Sequence, residues 1–176
     1  MKKLFVCVLI VMAWISLTGS CLAANKAAAD SPQKKHGATK VKAFSVGIYG
    51  GRIFINEDCP IRGLEIIIPR DTYASRTTVE VSFLKAPDGK YADKGTPCSP
   101  IIMVNDGGKK TNKMIKVKIP VNRPEKGLAV IEYIDPATLG IEGVIVPSES
   151  KKTYVKGVIS NFSMYFMVMG VNPGTK

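Results

Sequence analysis

Ile115-Lys116-Val117-Lys118-Ile119-Pro120 alternates apolar and basic side chains and stops at a proline. A period of two places Ile115, Val117 and Ile119 on one face of a pleated strand and both lysines on the other. Proline cannot donate to a ladder, so Pro120 marks a strand end or an edge. The same period recurs in Ile53 and Ile55, in Leu64, Ile66 and Ile68 before Pro69, and in Val79, Val81 and Phe83. Further strand candidates are 101–104, 128–134, 143–146, 154–160 and 163–169. No stretch shows convincing helical spacing. Gly50-Gly51, Asp88-Gly89, Asp106-Gly107-Gly108, Asp135-Pro136 and Pro147-Ser148 fall between the runs, where turn chemistry is required.

About nine or ten short strands with Gly- and Pro-containing connections predict an all-β fold, an antiparallel β-sandwich. A parallel sheet would need crossover helices, for which the sequence has no segment. This domain is expected over 43–170, with 171–176 as a tail.

Outward from the domain, the N-terminus has Lys2 and Lys3, an apolar run from Leu4 to Leu17, and the small-residue stretch Ser20-Cys21-Leu22-Ala23-Ala24. That order is the pattern of a bacterial export signal over 1–23, with the product periplasmic or extracellular. Cleavage after Ala23 gives a soluble chain. The alternative is a lipobox in Leu17-Thr18-Gly19-Ser20-Cys21, with Cys21 lipidated as the first mature residue and the protein tethered to a membrane. Thr18 stands where a lipobox usually has an aliphatic residue, which favours the soluble form. Residues 24–42 are poor in large apolar groups and rich in Ala, Lys, Ser, Pro and Gly, and read as a flexible basic linker. Lys26, Lys34, Lys35, Lys40 and Lys42 there oppose Asp30 alone.

Export reframes the formal charge of +11. It excludes nucleic acid as partner and leaves a solvated surface or attraction to anionic envelope polymers or lipid headgroups. It also reframes the cysteines, because Cys59 and Cys98 are the two inside the expected domain, and in an oxidising compartment such a pair most economically forms a disulfide. Neither belongs to a Cys-x-x-Cys pair, and the single histidine, His36, lies in the expected linker. No metal site or cofactor is expected. Glu57-Asp58, Asp88, Asp93 and Asp106 lack the spacing of a calcium loop. Met164, Met167 and Met169 alternate with Phe166 and Val168, as in a strand covered on both faces.

In their order, Gly50-Gly51-Arg52-Ile53, Leu64-Glu65-Ile66-Ile67-Ile68-Pro69, Thr78-Val79-Glu80-Val81, Ser99-Pro100-Ile101-Ile102, residues 115–120 and Ile159-Ser160-Asn161-Phe162-Ser163-Met164-Tyr165 resemble the ZU5 domain. This is a β-sandwich of ankyrins, netrin receptors, tight-junction scaffolds and secreted bacterial proteins. The resemblance spans 47–169. Its closing motif is commonly His-Phe-Ser, which in some relatives is cut by its own serine. Here it is Asn161-Phe162-Ser163, and an amide cannot take the serine's proton. The resemblance therefore implies the fold without the self-cleavage.

The expected function is an exported, non-catalytic module with an interaction or structural role in the cell envelope and an unidentified envelope protein as partner. A binder of anionic polymers or membrane surface through the linker lysines and Lys109, Lys110, Lys113, Lys116 and Lys118 is the first alternative. A hydrolytic or self-cleaving enzyme using Ser163 is the second and is disfavoured.

Overall fold

The computed structural model describes residues 36–109, 111, 113–122, 128–162 and 164–171. Its twelve strands are β1 (Thr39–Val46), β2 (Gly51–Phe54), β3 (Glu65–Ile68), β4 (Thr77–Leu84), β5 (Thr96–Pro97), β6 (Ile101–Asn105), β7 (Ile115–Pro120), β8 (Leu128–Ile134), β9 (Ile141–Ile145), β10 (Glu149–Ser150), β11 (Tyr154–Ile159) and β12 (Tyr165–Val171). No helix occurs among the described residues. One sheet runs β1-β4-β6-β12-β8-β9 with β5 also on β12, and the other runs β10-β11-β7-β3-β2. Neighbouring strands are antiparallel throughout. The chain is an all-β sandwich of two antiparallel sheets.

The alternation seen in sequence becomes the interior. Ile53, Ile66, Ile68, Ile115, Val117 and Ile119 of the smaller sheet share one core with Val79, Val81, Ile102, Val104, Phe166 and Val168 of the larger. Each such side chain contributes about 1.5–3 kcal/mol when taken out of water. Gly157 is the thin point of β11: a Cβ there would overlap Ile131 Cδ1 of β8, so Ile131 occupies the space that a side chain at 157 would need.

β12 is covered on both sides, as its two interleaved apolar sets require. Phe166 and Val168 face the shared core. Tyr165, Met167 and Met169 join Tyr91, Ile101, Met103, Ile134 and Leu139 in a second apolar cluster. The Tyr91 hydroxyl donates to Leu139 O across 2.7 Å, binding the loop before β5 to the β8–β9 turn.

The linker ends earlier than the sequence indicates. β1 begins at Thr39, so residues 39–42 of the expected linker are strand, paired with β4. Lys40 forms an ion pair with Glu80, and Lys42 with Glu57. His36 Nε2 stands 3.0 Å from Pro136 O, so the segment is docked before the strand starts. β12 likewise runs one residue into the expected tail, to Val171. The export signal, Cys21 and residues 24–35 and 172–176 lie outside the described residues.

Candidate functional site

The two sheets differ in what they show outward. Because Ile53, Ile66, Ile68, Ile115, Val117 and Ile119 point inward, the intervening positions of β2, β3 and β7 point away from the core. Register puts Arg52 beside Ile67, Ile67 beside Lys116 and Lys116 beside Val158. The next row outward reads Phe54, Glu65, Lys118, Lys156 and Glu149.

This face gathers exposed apolar groups. Among the described residues, seven large apolar side chains are exposed: Ile48, Tyr49, Phe54, Ile67, Met114, Val144 and Val146. Phe54 and Ile67 are on the face, Met114 immediately precedes β7, and Ile48 and Tyr49 form the turn leading into β2. Five of the seven thus lie on or beside one sheet, where chance scatter would leave them singly over the surface.

The turn is held by backbone that few sequences tolerate. Gly50 has φ 72°, and a Cβ there would overlap Ile68 O and Pro69. Asp71 has φ 60°, uncommon for a residue with a Cβ, and its N–H donates to Ile48 O across 2.6 Å. Between them Tyr49 stays 74% exposed while the Arg70 guanidinium stacks 5.3 Å above its ring. An exposed aromatic with a cation over its ring, held next to a non-glycine residue at positive φ, is the kind of local cost that accumulates at functional sites.

The charges on the face are mixed. Arg52 pairs with Glu65 at 2.7 Å, and Lys156 with Glu149 at 2.6 Å. Hydrogen bonds from Lys156 and then Tyr154 hold the Glu149 carboxyl below the usual range. Lys118 and Lys156 are directly opposed and lie 4.6 and 5.2 Å from the centre of the Tyr154 ring. No carboxylate lies within ion-pair distance of Lys116 or Lys118 among the described residues.

A second feature is a corner lined by prolines. Pro60, Pro97, Cys98, Pro100 and Pro120 border a cavity of about 500 Å³. The segment around Cys98 ties the sheets together: Cys98 N–H donates to Val168 O, and Asn122 N–H to Cys98 O. Cys98 belongs to the main core and Cys59, next to Pro60, packs against it. Both carry thiols in the structure, and Cys98 Sγ donates to Thr96 O across 3.4 Å. Ser99 Oγ accepts from Val168 N–H and donates to Pro100 O.

The remaining sequence candidates are dispersed. Phe162 is buried in the main core and Asn161 Nδ2 donates to Ser160 Oγ, while Ser163 and Lys110 lie outside the described residues. Asp106 is buried, accepting from the Tyr73 hydroxyl at 3.0 Å and from Lys109 N–H at 3.2 Å. Burial first, then Asp106, pushes the Tyr73 hydroxyl well above its ordinary pKa. Among the described residues no three His, Cys, Asp or Glu side chains gather where they could hold a metal ion.

Sequence reasoning left Tyr49, Phe54, Ile67 and Arg70 without a functional part. Period two could have turned Ile67 outward, but its neighbours Arg52 and Lys116 come from strands distant in sequence. No family model matches the chain, and no curated protein matches it.

Proposed function

We propose that the chain is an exported, non-catalytic β-sandwich whose role is to bind another component of the cell envelope. The observation that carries this reading is the collection of Tyr49, Phe54, Ile67 and Met114 on and beside one sheet face. Leaving such groups in water has no folding benefit, and covering them on association does. The export pattern at the N-terminus supplies the compartment, and the ZU5-like order of motifs is compatible with a domain that binds rather than catalyses. Native sizing of an envelope extract tests it. The exported protein should run in a complex well above the 19.0 kDa of the full sequence, and migration as a lone monomer would contradict it.

Lys116 and Lys118 favour a second reading, attraction to an anionic envelope polymer. Retention on an anionic polysaccharide matrix should then fall steeply with added salt, because each contact releases counterions.

A further inference from the structure

We infer that the outward face of β2, β3, β7 and β11, together with the Ile48–Tyr49 turn, docks a protein whose contact surface is apolar at its centre and carries carboxylates opposite Lys116 and Lys118. This rests on the reading of the chain as a binding module and gives the partner its chemistry.

The composition is that of a protein-binding surface. Tyr, Met and Arg are enriched where protein interfaces are most fully buried, and Tyr49, Met114, Arg52 and Arg70 supply all three here. The Arg70 guanidinium lies 5.3 Å from the Tyr49 ring centre, a cation–π contact that strengthens when the pair is covered and desolvated.

The charge pattern separates a protein from a lipid surface or polyanion. A surface built for uniform negative charge would exclude carboxylates, yet Glu65, Lys118, Lys156 and Glu149 follow one another across four strands. Such a row sets the register of a partner carrying its own pattern of charges. A second copy is a poor occupant, because two chains that each carry a formal net charge of +11 repel one another.

A photo-crosslinking amino acid placed at Tyr49, Ile67 or Lys94 of the full chain, in the cells that make it, tests the surface. Lys94 lies outside this face, in the loop before β5. Positions 49 and 67 should crosslink to one and the same protein, and position 94 should not. With that protein identified and purified, Lys118→Glu and Ile67→Asp should each weaken binding about tenfold or more without lowering the melting temperature. Adducts of positions 49 and 67 with phospholipid, with polysaccharide or with a second copy would overturn the inference. So would unchanged affinity in both variants. Protein adducts from position 94 alone would remove this surface while leaving the binding-module reading intact, and no adduct at any position would contradict both.

Discussion

Ile131 of β8 lies over Gly157 of β11 so closely that a Cβ at 157 would overlap its Cδ1. The two residues belong to different sheets, and their close approach leaves no room for a side chain at 157. Gly157→Val should destabilise the domain by about 1–3 kcal/mol through overpacking. Ile131→Val, which removes the overlapping methyl, should cost about 0.5–1.5 kcal/mol alone yet recover part of the loss in the double variant. Denaturant unfolding of all four proteins measures the coupling, and strictly additive costs would show that the two do not share the space.

Cys59 and Cys98 are expected to be joined in the exported protein. Cys59 lies in the β2–β3 connection beside Pro60, and Pro60 and Cys98 border the same cavity; both are thiols in the structure, and closing a loop of about 40 residues would contribute about 3–4 kcal/mol. Intact mass after alkylation, with and without prior reduction, should show both thiols blocked until reduced. Alkylation of both without reduction, in protein taken from the native envelope, would contradict this.

Glu132 gives the folded protein a specific pH response. It sits on β8 beside Met167, is only 8% exposed, and has no partner for Oε2 among the described residues. Burial raises its carboxyl pKa above the ordinary carboxylate range. As pH rises past that range the unfolded chain releases this proton before the folded chain does, so the native state binds more protons and loses stability. Glu132→Gln should remove this loss: similar to wild type in acid, more stable at neutral pH. Stability curves that run parallel across the window would contradict it.

Much of the fold was legible because one-sided burial writes a period of two into the sequence. β3, β4 and β7 show it directly, through Ile66 and Ile68, Val79 and Val81, and residues 115–120. β1 was not legible, since an edge strand with most side chains exposed needs no apolar stripe, and Lys40 and Lys42 read as linker. Such lysines are what protects an edge from unwanted pairing. β5 and β10 are two residues each, too short to carry a pattern. The candidate face was half legible. Lys116 and Lys118 were visible as surface residues, but the rows that set Lys116 beside Ile67 and Arg52, and Lys118 beside Glu65 and Phe54, exist only once three separate strands are in register.

The mature start decides whether the module is free or tethered. Ala23 offers an ordinary cleavage point and Thr18 weakens the lipobox, so a soluble chain beginning Ala24-Asn25-Lys26 is expected. N-terminal sequencing of the native protein reads this directly. A blocked terminus, with an acyl mass lost on Cys21→Ser, would instead establish the tethered form.

The most direct measurement compares two matched substitutions in the native complex. Ile67→Asp places a charge on the proposed face, and Val146→Asp places one at a site that is 84% exposed and beyond the end of β9. Neither position needs its side chain for the core, so both variants should fold with melting temperatures near wild type. On native sizing of envelope extracts, Ile67→Asp should shift the protein from the large complex to the monomer while Val146→Asp leaves the complex intact. A complex that survives Ile67→Asp, or is lost equally with Val146→Asp, would contradict the assignment of the five-stranded face as the binding surface.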